Sequence, residues 1–255
     1  MTYPNAGLYV LTLRQHSRER IRWLEISLRA TRRLKDRGAE GATLGNLGLA
    51  YDVLGETLRA IEFYKQRLTI AREVGDRRGE GATRCNLGNA YVKLGETRRA
   101  IQDYEQALLI LRELGDRRGE GAALGSLGIA YMILGETRRA IEFYEQRLTI
   151  AREIGDRKGE GNALGNLGLV YRNLGKTRHA IQFYEQALLI DREIGDHKGE
   201  GTDLWNMSLA LDQLGERAQA IQLAEQALTI YEQIEDPNTT QVRAQLAEWS
   251  AQTNT

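Results

Sequence analysis

The sequence predicts an all-α fold, a right-handed α-solenoid built from antiparallel helix pairs. Three observations lead to this prediction. A motif of 40 residues recurs along the chain, the apolar residues within it follow helical steps of three and four, and the only prolines are Pro4 and Pro237. Because proline is the strongest helix breaker, the more than two hundred residues between them favour helices.

The repeat is marked by Gly-Asp, which recurs at 75–76, 115–116, 155–156 and 195–196. Lys-Asp at 35–36 and Glu-Asp at 235–236 continue the same phase. Five full repeats, called the first to the fifth below, are therefore predicted at 36–75, 76–115, 116–155, 156–195 and 196–235. Such units bury their apolar stripes only against their neighbours, so a stacked array follows.

Each repeat contains two apolar stripes and therefore two helices of about seventeen residues. In the third repeat the stripes are Leu124, Leu127, Tyr131 and Leu134, then Ile141, Tyr144, Leu148 and Ala151. Gly135 can end the first helix in the left-handed conformation, and we expect Thr137 to cap the second helix. Gly155 and Asp156 supply the same stop and cap at the end of the repeat.

Both ends of the chain depart from this pattern. Residues 1–35 are predicted to form a degenerate or half repeat, in which 5–11 match a first helix poorly. The residues that match a second helix are Ser17, Ile21, Leu24 and Leu28. Residues 236–255 are predicted to form a capping helix and tail, with Val242, Leu246 and Trp249 on one side.

Composition argues against several kinds of partner. Lys+Arg and Asp+Glu both number 35, so we expect no nucleic-acid or membrane partner. Cys85 is the single cysteine, which excludes an intramolecular disulfide, and three scattered histidines make a zinc site improbable. The amino terminus has no basic segment ahead of its short apolar stretch, and no run of eighteen apolar residues occurs, so we expect a soluble, cytoplasmic chain.

Apparent catalytic and nucleotide motifs are explained by the repeat. The glycine-rich stretch GEGATLGNLG recurs inside an amphipathic helix and follows no strand, and its glycines are expected to let helices approach closely. Gly-Lys-Thr at 175–177 imitates a Walker loop, but Val170 stands where that loop needs glycine. No serine or cysteine lies in a nucleophile motif. We therefore expect no enzyme, no cofactor and no metal.

The repeat resembles the tetratricopeptide repeat over nearly the whole chain. The residues with the spacing of that signature are Leu44, Leu47, Gly48, Tyr51, Gly55, Ala60 and Tyr64. With its longer 40-residue period the array is similar to Pins/LGN-type polarity adaptors, to the arrays of bacterial STAND-type signalling NTPases and, more distantly, to kinesin light chains. This resemblance implies a protein or peptide partner held in a concave groove lined by the first helices.

The resemblance places candidate groove residues by position in the first helices. They are Asn46, Leu49, Asp52, Asn86, Asn89, Lys93, Ile129, Met132, Asn166, Leu169, Arg172, Trp205, Asn206, Leu209 and Asp212. A basic row at the groove edge comprises Arg78, Arg118, Lys158 and Lys198. The asparagines and apolar residues could instead join adjacent helices. The basic row is either neutralised by the cap aspartates and the glutamates two residues on, or meets an acidic partner along the groove edge. Trp205 is either a ligand anchor or a plug against the terminal helix.

One position of the second helices differs between repeats. It holds arginine in the first and third repeats, Arg67 and Arg147, and alanine in the others, Ala107, Ala187 and Ala227. A buried guanidinium needs a partner or a path to solvent, so we expect these arginines to reach acidic or carbonyl groups at the junction with the next repeat, with the groove as the alternative. Three functions remain open: a scaffold for a partner segment, a sensor domain of a signalling NTPase or effector system, and a self-assembling array.

Overall fold

The computed structural model describes residues 17–253. Every element in that range is an α-helix, and the range contains no strand. The helices are α1 Ser17–Leu34, α2 Arg37–Val53, α3 Thr57–Glu73, α4 Arg77–Lys93, α5 Thr97–Glu113, α6 Arg117–Ile133, α7 Thr137–Glu153, α8 Arg157–Asn173, α9 Thr177–Ile194, α10 His197–Gln213, α11 Arg217–Gln233 and α12 Thr239–Thr253. The predicted all-α class is confirmed, whereas the expectation for residues 5–11 lies outside the described residues.

The chain divides into two compact parts, the first ending at Gly119 and the second beginning at Glu120. In the first part, α2 packs on α3 and α4 packs on α5, while α1 and α3 each contact the helix that follows. In the second part, α8 packs on α9 and α10 on α11, with α8 and α10 also in contact. Consecutive helices therefore form the predicted pairs, and the first helices of the fourth and fifth repeats are neighbours.

The helix pairs of the first four repeats each contain a close approach of a glycine and a tyrosine. A Cβ atom added to Gly168 would lie 2.5 Å from Cε1 of Tyr184, and one added to Gly128 would lie 2.4 Å from Cε1 of Tyr144. Both tyrosines are fully buried. The glycines thus leave the space that an aromatic ring fills, as the sequence predicts.

Turns follow the predicted plan with one correction. Gly135 and Gly155 have φ angles of +75° and +67°, a conformation that costs glycine little. The Asp156 side chain accepts a hydrogen bond from the Gly159 amide and caps α8. Thr137, in contrast, does not cap α7, because it is already the first helical residue and the cap position holds Glu136, which makes no side-chain capping bond.

A buried glutamate in the first turn of the first helices joins successive pairs. Glu160 accepts hydrogen bonds from Arg152 at 2.8 Å and from Arg157 at 2.5 Å. Burial alone would raise the pKa of Glu160, but these two arginines outweigh burial and lower it. The charged Arg-Glu cluster of the repeat is therefore structural, since it ties α7 to α8.

Candidate functional site

The predicted groove residues lie on the outward face of the first helices. Most are half-buried, and Leu49 and Ile129 are each 40% exposed. Those in the first part are Asn46, Leu49, Asp52, Asn86, Asn89 and Lys93. Those in the second part are Ile129, Met132, Asn166, Leu169, Arg172, Trp205, Asn206, Leu209 and Asp212. Apart from Trp205, these positions are accessible on each part's first helices.

In the first part several of these residues contact one another or the second helices. Lys93 of α4 donates to Asp52 of α2 at 2.6 Å. The Tyr104 hydroxyl donates to Asn89 at 2.6 Å, which joins α5 to α4. The polar groups of this face are thus partly paired within the protein.

In the second part the same face contains polar groups without partners. The position that Asn89 occupies in the second repeat holds an apolar residue in the next two, Ile129 in the third repeat and Leu169 in the fourth. The buried hydroxyls of Tyr144 and Tyr184 therefore find no hydrogen-bond partner among the described residues. Burial raises the pKa of both tyrosines to about 12, so both hydroxyls stay protonated donors. Nη1 of Arg172 is also buried and unpaired within the described range.

Trp205 contacts the terminal helix. Its side chain is 7% exposed and its ring lies 6.2 Å from the Trp249 ring, centroid to centroid. Val242 and Trp249 of α12 are buried in the same apolar cluster. Of the two roles that the sequence leaves open for Trp205, packing against the terminal helix is the one observed. Asp212 pairs with Arg217 at the same end.

The basic row is exposed, and its last two members, Lys158 and Lys198, pair with the aspartates that follow the ends of their own repeats. Lys158 lies 2.7 Å from Asp196, and Lys198 lies 3.5 Å from Asp236. The hydrogen bond from Lys158 lowers the pKa of Asp196. Asp196 caps α10, whereas Asp236 accepts a hydrogen bond from the Asn238 amide ahead of α12. Arg78 and Arg118 are exposed as well.

Arg67 and Arg147 lie over a glycine of the first helix in their own repeat. Nη1 of Arg147 is 2.2 Å from the position that a Cβ atom of Gly125 would occupy, and Nη1 of Arg67 is 2.1 Å from the corresponding position at Gly45. Burial lowers the pKa of Arg147, and the charge of Asp156 in the next repeat opposes that shift. Arg147 makes no hydrogen bond within the described range, so only this electrostatic contact meets the expectation of a junction partner.

The fourth repeat has a recess at the corresponding place, and sequence analysis missed its most unusual residues. The recess has a volume of about 260 Å³ between α8 and α10. Its lining residues are Lys158, Gly161, Asn162, Gly165, Asn166, Asp191, Asp196, Lys198, Gly199, Thr202 and Asp203. Asp191 and Asp203 are 6% and 5% exposed. The available signal was their departure from small or apolar residues at these positions in the other repeats.

The two carboxyl groups perturb each other. Burial, then the charge of Asp191, then a hydrogen bond between the two carboxyls raise the pKa of Asp203 to about 8. Burial and the charge of Asp196 raise the pKa of Asp191 to about 6. At neutral pH the pair therefore holds a shared proton, since two neighbouring carboxylates repel each other in a buried site.

A comparison with family models decides the family. A model described as "Tetratricopeptide repeat" matches residues 75–153 and 159–233, and a second of the same description matches 43–78. The chain is a tetratricopeptide repeat protein. No curated protein matches it. Tetratricopeptide arrays are generally non-catalytic scaffolds for protein interactions.

Several solved structures share this fold. BtubC from P. vanneervenii aligns with a TM-score of 0.76 at 20% identity, covering 87% of this chain and 93% of that one. A STAND protein with a tetratricopeptide repeat sensor from Pyrococcus horikoshii gives 0.66 at 18% identity, covering 84% and 37%. The Rap conjugation gene regulator of plasmid pLS20, in complex with a Phr peptide, gives 0.67 at 17% identity, covering 80% and 57%.

Within 17–253, no group of three or more His, Cys, Asp or Glu side chains is arranged to hold a metal ion. No helix in that range is long and apolar enough to cross a membrane.

Proposed function

We propose that this tetratricopeptide repeat protein is a cytoplasmic interaction module that holds an extended or helical segment of a partner protein against its first helices. The observation that supports it most is the accessibility of apolar and amide side chains on the first helices, where Leu49 and Ile129 are each 40% exposed and Asn166 is half-buried. Apolar side chains left accessible on one helix face are typical of a surface that binds another protein segment.

The character of the face also supports peptide binding. Ile129 and Leu169 offer apolar contacts, while Asn166 can both donate to and accept from a peptide backbone. Asn166 makes no hydrogen bond to a described residue, so its amide is available. Groove residues differ between otherwise similar repeats, which is expected of a surface that reads one particular segment.

Two other functions remain as alternatives. The similarity to a STAND protein with a tetratricopeptide sensor favours a regulatory domain that acts on an attached or partner NTPase. A gene for such an enzyme or effector next to this one would support that function. A self-assembling array is the third, and light scattering across a concentration series would reveal it. In all three cases we expect no catalysis by this chain.

The test uses a random peptide library displayed on phage and selected on the immobilised chain. Selected peptides are then measured by calorimetry against Leu169→Glu, which puts a charge on the groove face. Leu189→Glu is the matched control, since Leu189 is 68% exposed on the second helix α9. We expect about tenfold or greater loss with Leu169→Glu and unchanged binding with Leu189→Glu, because only the first substitution places an unpaired charge beneath the peptide.

Circular dichroism of both variants establishes that they fold. A library that yields no specific peptide contradicts the proposal. So does a loss of binding confined to Leu189→Glu, which would place the partner on the second helices.

A further inference from the structure

The space over one glycine position of the first helix, Gly45 in the first repeat, is occupied by different side chains in successive repeats. In the first and third repeats it holds the guanidinium of an arginine, Arg67 over Gly45 and Arg147 over Gly125. In the second and fifth repeats the glycine itself is replaced, by Cys85 and Trp205. These four repeats place a side chain of their own in that space.

The fourth repeat keeps the glycine but has lost the arginine. Gly165 is retained, and Ala187 stands where the third repeat has Arg147. The recess of about 260 Å³ lies here. Its counterpart in the first repeat, of about 220 Å³, has Arg67 in its wall. The fourth repeat therefore has an open space in a position where two of its sister repeats hold a guanidinium.

The recess has gained two carboxyl groups, one from the fourth repeat and one from the first helix of the fifth. Asp191 replaces Ala151 of the third repeat, and Asp203 occupies the position of Ala163 on the following first helix. Oδ1 of Asp203 lies 3.1 Å from the Cβ position of Gly165, so this carboxyl group lines the recess beside the glycine that corresponds to Gly125. Loss of the cation thus coincides with a gain of groups that bind one.

We propose that this recess binds the guanidinium group of an arginine side chain in the partner segment. The proposal rests on the function proposed above and adds the chemistry of one contact. A guanidinium presents five donors in a planar fork that matches carboxylates, and it is less strongly hydrated than an ammonium ion. Two buried carboxyl groups supply the counter-charge that a buried cation requires.

The surrounding groups favour a cation over an anion. Lys158 and Lys198 stand at the rim, but Lys158 pairs with Asp196 at 2.7 Å and Lys198 pairs with Asp236 at 3.5 Å. Asn166 and Thr202 line the recess with oxygen atoms that can accept further hydrogen bonds. An anion would have to approach two carboxyl groups at the base, and its repulsion would oppose binding.

The probe is a blocked peptide, acetyl-Gly-Gly-Arg-Gly-Gly-amide, titrated into the full chain by calorimetry or by NMR. Its control is the same peptide with citrulline, which has the shape of arginine without the charge. We expect the arginine peptide to bind at least about tenfold more tightly than the citrulline peptide. A glutamate peptide should not bind. Free arginine should bind no better than the blocked peptide.

Three variants locate the binding. Ala187→Arg restores the arginine of the sister repeats and should abolish binding, and Asp203→Asn should reduce it by about tenfold or more even if Ala187→Arg fails to fold. Arg147→Ala is the matched control, because it opens the recess of the third repeat where Ala151 and Ala163 offer no carboxyl group. That variant should bind the peptide as the wild type does.

Four results overturn the inference: no binding of the arginine peptide up to millimolar concentration, equal binding of citrulline, preference for glutamate or free arginine, or unchanged binding in a folded Ala187→Arg. Peptides from the display selection separate this failure from that of the proposed function. If they still bind Ala187→Arg, the interaction surface stands and the arginine contact does not.

Discussion

The third and fourth repeats share one framework and differ at one recess. In both, a glycine of the first helix accepts a buried tyrosine ring, Gly128 under Tyr144 and Gly168 under Tyr184. Above that contact the third repeat places its own Arg147, whereas the fourth leaves an open space. The comparison indicates that the residues that pack the helix pair are distinct from those that line the recess. Substitutions in the first group should change stability, and those in the second group should change binding specificity.

The largest effect is expected where the two repeats are the same. Gly168→Val should destabilise the protein by about 3 kcal/mol or more, because its side chain would overlap Tyr184 and the helices cannot separate without losing their packing. Gly128→Val should cost about as much. Urea unfolding followed by circular dichroism measures both. Asn162→Val, an exposed change on the same helix as Gly168, is the control. A wild-type transition for either glycine variant would show that the close contact is absent.

The next largest effect is a pH-dependent change in stability that comes from Asp203 in the recess. The pKa of Asp203 is about 8 in the folded protein against an ordinary 3.8, so the folded state keeps a proton that the unfolded state releases. Asp203 therefore lowers stability as pH rises from about 4 to about 8. Asp203→Asn should remove this trend, and its stability relative to the wild type should increase by a few kcal/mol over that window.

Thermal melts at a series of pH values measure this effect. The ionisable groups that act on Asp203 directly or through Asp191 are Lys158, Tyr184, Asp196, Glu200 and Tyr231. Asp196→Asn is an informative control, because the pKa of Asp196 is lowered and its stabilising contribution is lost as pH falls. A pH-independent difference between Asp203→Asn and the wild type would contradict the buried carboxyl pair.

Arg147→Ala tests the filled recess of the third repeat. Removing the arginine deletes the packing of its stem over Gly125 and should cost about 1–2 kcal/mol, with little change in affinity for selected peptides. Arg138→Ala, an exposed change on the same helix, should be nearly neutral. If Arg147→Ala melts like the wild type but loses its peptides, the binding surface must include the second helices.

The smallest effect compares the two glycines under the recess. Gly125→Ala brings a methyl group to within 2.2 Å of the present position of Nη1 of Arg147, whereas at Gly165 the nearest atom is Oδ1 of Asp203 at 3.1 Å. Alanine has a higher helix propensity than glycine by about 1 kcal/mol, and this gain is the same at both positions. Because only Gly125→Ala creates the closer contact, the free energy of unfolding relative to the wild type should be roughly 1 kcal/mol higher for Gly165→Ala in denaturant titrations. The reverse order would mean that the filled recess is looser than the open one.

Most of the framework was accessible from sequence because it repeats. The period, the two stripes and the Gly-Asp boundary occur in several copies, so local propensity and stacking agree at each one. The prediction for Thr137 was wrong because a threonine close to a turn glycine can be either the capping residue or the first helical residue, and the sequence pattern is the same in both cases. Only the backbone shows that the helix begins at this threonine.

The recess was not accessible from sequence for the opposite reason. Asp191 and Asp203 occur once, and they lie on different helices, so their proximity depends on how α9 packs against α10. An isolated aspartate in a helix is normally solvated, and only burial turns it into a binding group. The position of Arg147 over a glycine of its own repeat is equally a matter of three-dimensional packing.

The central claim is that the fourth repeat offers to a partner the place that the third repeat fills with its own arginine. The most direct measurement is the thermal stability of Ala187→Arg in the wild-type background and in Asp203→Asn. We predict that Ala187→Arg raises the melting temperature at pH 7 and that most of this gain disappears with Asp203→Asn, because the new guanidinium pairs with that carboxyl group. A loss of stability, or an equal change in both backgrounds, would contradict the claim.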